Sequence, residues 1–232
     1  MKRIGIIGAM EEEVEMLKEK MDSEKVIKKA SMEFHQGALN GKQVVVVRSG
    51  IGKVNAGICA QILADVFQVD AIINTGIAGS LQAEINIGDL VISTDALQHD
   101  MDAREFGYER GQIPRMGVLS FPADERLVAA AKASCEKVNP EISVFTGRVV
   151  TGDQFIASRQ VKEEIKGWSR GLCTEMEGGA IAQVAWLNQI PFVILRAISD
   201  KADDSATMDY PTFEKQAILH SVRLVEDLMG SL

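Results

Sequence analysis

The sequence predicts an α/β fold in which helices cover both faces of a sheet, and three observations carry that expectation. Short apolar or β-branched runs recur along the chain, reading RIGIIGA, QVVVVRSG, AIINTGIAG, DLVISTD, GRVVTGD and FVILRAISD. Between them, residues 53–67, 124–138, 178–187 and 212–229 carry apolar side chains at three- and four-residue spacing, the period of a helix with one buried face. The length of 232 residues, 46% of them hydrophobic, supplies one large core but not two roomy ones, so a single domain over residues 1–232 is expected.

In chain order, the first run leads into a helix that starts near Met10. At about 100° per residue, Met10, Val14, Leu17 and Met21 then form one buried stripe. Glu12 falls opposite that stripe, and Glu11 shares a flank with Glu15 and Lys18. Glu13 lies on the other flank beside Met10, Met16 and Leu17, the best placed of the three glutamates to face an apolar cavity. The plainer alternative is that all three complement the positive end of the helix dipole. Residues 99–117 and 201–211 lack periodicity and read as loops, which in compact domains serve as lids, interfaces or plain surface. No repeat, low-complexity tract or linker interrupts the chain.

A net charge of −8 and a pI near 5.0 argue against a nucleic-acid-tracking surface. No window approaches the roughly 20 apolar residues of a membrane span. The N-terminus reaches three glutamates before a signal-peptide core is complete. Cys59, Cys135 and Cys173 are far apart and flanked by small or apolar residues, which favours reduced thiols and a cytoplasmic location. His35, His99 and His220 lack metal-ligand spacing, so neither metal nor cofactor is expected.

Ligands of open α/β sheets lie beyond the carboxyl ends of the strands, so the residues after each run are the candidates for function. GIIGAM is not a dinucleotide fingerprint. SGIGKV is not a phosphate loop, because Val47 and Val54 stand where glycine and a hydroxyl residue are required. CTEMEGGAIA places Glu175 and Glu177 two apart, on one side of an extended chain, just before a helix of small residues. One carboxylate suffices to cap that helix; a second suits the two hydroxyls of a ribose. Arg196 lies within an apolar strand and needs a buried partner, with Glu13 and Glu175 as candidates. Asp200, beside Ser199 at the strand tip, is either a turn cap or a carboxyl that shares a proton with a ligand nitrogen.

Taken together and in order, GIIGAMEEEV, SGIGKVNA, NTGIAGS, GDQFIA, TEMEGGAIA and RAISDKAD resemble the motif set of the 5′-methylthioadenosine/S-adenosylhomocysteine nucleosidases, over essentially the whole chain. The resemblance implies a purine nucleoside phosphorylase-like fold, a mixed central sheet flanked by helices, and a homodimer that hydrolyses an adenine nucleoside. By position, it implies that Glu13 activates water and Asp200 protonates the purine at N7. Glu177 and the Met176 backbone match the ribose clamp, and Phe155 and Ile156 the adenine site. Glu175, Arg196 and Ser199 match supporting positions, Gly79 a ligand-contacting backbone, and Met10 joins the substrate-binding set. Ile51, Phe106 and Pro114 resemble positions that reach the neighbouring subunit's pocket and cover the 5′-alkylthio group. Ile77 and Ser80 depart from the family pattern, and Tyr210 is a candidate cover for the substrate. The rival readings are a nucleosidase of aminodeoxyfutalosine type, a nucleoside phosphorylase, which needs arginines for phosphate, and a non-catalytic nucleoside sensor.

Overall fold

The computed structural model describes the backbone of all 232 residues and every side chain except those of Ser23 and Glu24. The strands are β1 (Arg3–Gly8), β2 (Asp22–Lys29), β3 (Met32–Leu39), β4 (Lys42–Arg48), β5 (Ala71–Ser80), β6 (Leu90–Gln98), β7 (Phe121–Pro122), β8 (Val144–Thr151), β9 (Cys173–Glu175) and β10 (Phe192–Asp200). The helices are α1 (Glu11–Glu19), α2 (Lys53–Asp65), α3 (Glu125–Val138), α4 (Arg159–Ser169), α5 (Gly178–Leu187) and α6 (Ala206–Ser231).

All the strands belong to one mixed sheet. Its path runs β10-β6-β8-β9-β5-β1-β4-β3-β2, and β10 pairs β5 as well, so β10, β6, β8, β9 and β5 close into a barrel from which the other strands extend. β1, β4, β5 and β10 associate in parallel, whereas β9 runs antiparallel to β5. Alternation along the strands divides the core. Val45 and Val47 pack with Cys59 and Leu63 of α2 and Ile181 of α5, while Val44 and Val46 pack with Val14 and Leu17 of α1 and Leu228 of α6. Helices therefore cover both faces, as the sequence predicts.

Several features differ from the sequence reading, the short strands β7 and β9 among them. The β2–β3 hairpin falls where no apolar run exists, because β2 is largely charged and exposed at the end of the sheet, while β3 buries Met32, Phe34 and Leu39 with polar residues between them. α4 is a strongly charged helix that buries only Lys162, Ile165 and Ser169. α6 begins at Ala206 rather than Thr212, so the loop expected over 201–211 ends at Ser205. Pro211 is the reason for that misreading: proline usually ends a helix, yet here it sits inside one. Among the described residues no helix is long and apolar enough to cross a membrane.

Candidate active site

A cavity of about 370 Å³ opens at the carboxyl ends of β1, β5 and β10. Strand β5 brings Ile77, Ala78 and Gly79 to it, β9 brings Thr174 and Glu175, and β10 brings Ser199 and Asp200. Ala9, Met10 and Glu13 line it from the start of α1, Ile51 from the turn before α2, and Gln154, Phe155 and Ile156 from the segment after β8. Met176 and Glu177 follow β9 into the same space. Of the residues singled out in the sequence, Arg196, Phe106 and Pro114 are outside this lining: Arg196 is buried behind it, and Phe106 and Pro114 are exposed on the 99–117 loop.

The three glutamates at the start of α1 separate clearly. Glu12 is exposed and Glu11 pairs with Lys18 at 2.6 Å, whereas Glu13 is only 4% exposed. Its Oε2 accepts from the backbone N–H groups of Ala9 at 2.6 Å and Met10 at 3.0 Å, and Oε1 accepts from Ile77 N–H at 3.2 Å. The side chain thus reaches back to the start of its own helix, as in a capping box, while lining the cavity. Burial pushes its pKa up, and the Arg196 charge and the three N–H donors oppose that rise.

Arg196 takes Glu175 as its partner. Its Nη2 donates to Glu175 and, at 2.6 Å, to Asn74 Oδ1, and lies 3.7 Å from Glu177 Oε2. Glu175 also accepts from Thr151 Oγ1 and from the N–H groups of Glu177 and Gly178, so it is the carboxylate that caps α5. Glu177 is therefore not needed as the cap. Its Oε1 accepts from Gly52 N–H at 2.9 Å, and burial beside Glu175 pushes its pKa up. Asn74 escaped the sequence reading, although a lone amide inside an apolar strand was the signal available.

At the tip of β10, Asp200 is 2% exposed; its Oδ1 accepts from Ala202 N–H at 2.7 Å and its Oδ2 from Ser199 Oγ at 2.9 Å. Burial raises its pKa, and the charges of Asp209 and Asp203 add to the rise. Glycines make room for both acids on β5. A Cβ at Gly76 would collide with Arg196 and Glu13, and one at Gly79 would sit 2.8 Å from Asp200 Oδ1. Those glycines lie three residues apart, about 10 Å along the strand.

Tyr210 of α6 closes the mouth. Its ring meets Phe155 edge-on, with centroids 5.9 Å apart, and its hydroxyl lies 3.0 Å from Glu214 Oε1 and 3.3 Å from Met10 Sδ. The cysteines take no part: all three are buried away from the cavity, with thiol pKa values raised by burial. Among the described residues no lysine or arginine lines the cavity.

The fold is that of the phosphorylase superfamily, whose family model matches residues 3–229. The chain is 44% identical, over the full length of both proteins, to the 5′-methylthioadenosine/S-adenosylhomocysteine nucleosidase of Halalkalibacterium halodurans. It superposes with a TM-score of 0.96 and 38% identity, over all of both chains, on the nucleosidase of that name from Neisseria meningitidis in complex with methylthio-immucillin-A. Futalosine hydrolase of Helicobacter pylori has the same fold, with a TM-score of 0.94 and 31% identity over 100% of this chain and 98% of that one. The chain belongs to the 5′-methylthioadenosine/S-adenosylhomocysteine nucleosidase family.

Proposed function

We propose that this protein is a hydrolase that cleaves the N-ribosidic bond of 5′-methylthioadenosine and S-adenosylhomocysteine, releasing adenine and the 5-thioribose product. The observation that carries this reading is the pair of buried carboxyl groups, Glu13 and Asp200, brought to one cavity from different elements. Breaking a bond to an oxocarbenium-like sugar needs an acid at the leaving group and a base at the incoming water, the arrangement of inverting glycosidases. Asp200 gives its proton to purine N7, and the electron pair of the C1′–N9 bond leaves with the base. Glu13 takes the proton of the water that attacks C1′. Raised pKa values suit both roles, since an acid and a base work best when poised near the working pH. Glu177 and the Met176 backbone hold the ribose hydroxyls, Phe155 stacks on the base, and the Ile156 backbone reads its edge. Met10, Ile51 and Gly79 bound the remaining contacts, and Glu175, Arg196 and Ser199 hold the acids in place.

Phosphorolysis is disfavoured by charge. The cavity presents four carboxyl groups, and Arg196 behind them is already paired, so among the described residues of this chain no free cation lines it to hold phosphate. A futalosine-type substrate is the second reading, favoured by the likeness to the Helicobacter pylori enzyme. A sensor would have no use for both acids. Incubation with 5′-methylthioadenosine is expected to give adenine and free methylthioribose at one rate with and without phosphate. A phosphate-dependent sugar 1-phosphate overturns the hydrolase reading, and cleavage confined to futalosine-type ribosides replaces the substrate.

The proposal includes two copies of the chain. Ile51, Val54 and Ile58 follow helical spacing around the start of α2 and are 53%, 73% and 43% exposed, and Phe106 is 83% exposed, a cost in water that a second copy would remove. Phe106 and Pro114 then reach the neighbour's cavity, whereas Ile51, expected there with them, lines the cavity of its own chain. Sedimentation is expected to give twice the 25.3 kDa chain mass, and a monomer at working concentrations refutes this part. Buried free cysteines support a cytoplasmic location, and methionine salvage is the corresponding use of the product.

A further inference from the structure

Helix α4 is charged along its length, RQVKEEIKGWS, yet one of its lysines turns inward. Lys162 is 7% exposed, although lysine is almost never buried without a partner. Its Nζ donates to the carbonyl of Lys201 at 2.5 Å and lies 3.5 Å from Asp203 Oδ2. The carbonyl of Lys201 belongs to the same peptide unit as the N–H of Ala202, and that N–H donates to Asp200 Oδ1 at 2.7 Å. In a trans peptide the two groups point opposite ways, so one peptide is held between the Lys162 ammonium at one end and the proposed acid at the other. A cation on the carbonyl polarises the unit and strengthens its N–H as a donor.

The backbone here needs holding. Ala202 has φ +51°, in the left-handed region that residues other than glycine seldom adopt. Such a conformation persists only where its surroundings fix it. The Lys201 side chain reaches the carbonyl of Ile85, Ala202 shares an apolar cluster with Ile156 and with Ile165 of α4, and Lys162 ties down the carbonyl of Lys201. A neutral donor would secure a loop with less desolvation than a buried ammonium. The charge acquires a purpose when the far end of the peptide is a working carboxyl, as it is in the proposed function, on which this step rests. We infer that Lys162 is a positioning residue for Asp200: it holds the Lys201–Ala202 peptide so that the Ala202 N–H fixes the carboxyl in the orientation from which it protonates the purine. Burial raises the Asp200 pKa and that N–H opposes the rise, so the same contact limits how far the acid is pushed up.

The test is a double-mutant cycle on the cleavage of 5′-methylthioadenosine, with Lys162→Met and Asp200→Asn made singly and together. Methionine keeps most of the length of lysine and removes the donor and the charge. Lys162→Met is expected to lower kcat by about 10- to 100-fold, the scale of a misplaced reacting group, with KM nearly unchanged. In the Asp200→Asn background, where there is no proton to position, the same substitution is expected to cost almost nothing. A Lys162→Met enzyme with the wild-type kcat overturns the inference. An equal fall in both backgrounds overturns it as well, since that is what a tie that merely supports the fold would give. Lys162→Gln, polar but uncharged, carries the same comparison if the methionine variant does not fold. An Asp200→Asn enzyme that turns over at the wild-type rate is a distinct result, which removes the acid itself and this step with it.

Discussion

Asp200→Asn is expected to lower kcat by about 100- to 10,000-fold, the usual worth of a positioned general acid, while adenine still binds. Asparagine retains the shape and can accept from Ala202 N–H as Asp200 does now at 2.7 Å. It has no proton to give to N7. The folded protein is not expected to suffer. Burial raises the Asp200 pKa above its ordinary value of 3.8, so ionising it is harder in the folded chain than in the unfolded one. Its contribution to stability is therefore full below pH 3.8 and is lost as pH rises through the raised folded value. Asparagine escapes that loss, so the variant is expected to unfold at the same or a higher temperature than the wild type near pH 8, with the difference shrinking towards pH 4. Loss of turnover together with loss of fold would instead make Asp200 a structural residue.

Much of this site was legible in the sequence because its parts sit at strand ends and helix starts, where position has chemical meaning. Helical rotation made Glu13 the best placed of the three glutamates to face a cavity, and the resemblance to the family singled it out. The need of a buried arginine for a partner named Glu175 as one of two candidates, and the structure brings both near Arg196 but pairs it directly with Glu175. The less legible parts depend on pairings between distant segments. Asn74 matters because Arg196, 122 residues away, donates to it. Lys162 matters because it donates to the carbonyl of Lys201, 39 residues away. In the β2–β3 hairpin β2 is mostly charged and β3 intersperses its buried Met32, Phe34 and Leu39 with polar residues, so neither forms an apolar run, and α4 is too charged to resemble a core helix. Tyr210 reached the cavity mouth because α6 continues through Pro211, where local rules place a break.

The second large effect concerns the base. In Glu13→Gln the amide oxygen can still accept from Ala9 and Met10, now at 2.6 and 3.0 Å, but its NH₂ then faces the Ile77 N–H and one hydrogen bond is lost. The start of α1 should survive that exchange. The ability to take a proton from water does not, since an amide is no base at neutral pH. Adenine binding involves the far side of the site and is expected to stay within a few-fold of the wild type. The most direct measurement is therefore single-turnover cleavage of 5′-methylthioadenosine by folded Glu13→Gln, with adenine affinity measured on the same sample. A fall in the cleavage rate of about 100- to 10,000-fold with adenine binding retained is the predicted result. Cleavage within a few-fold of the wild-type rate would contradict the assignment of Glu13 as the group that prepares water.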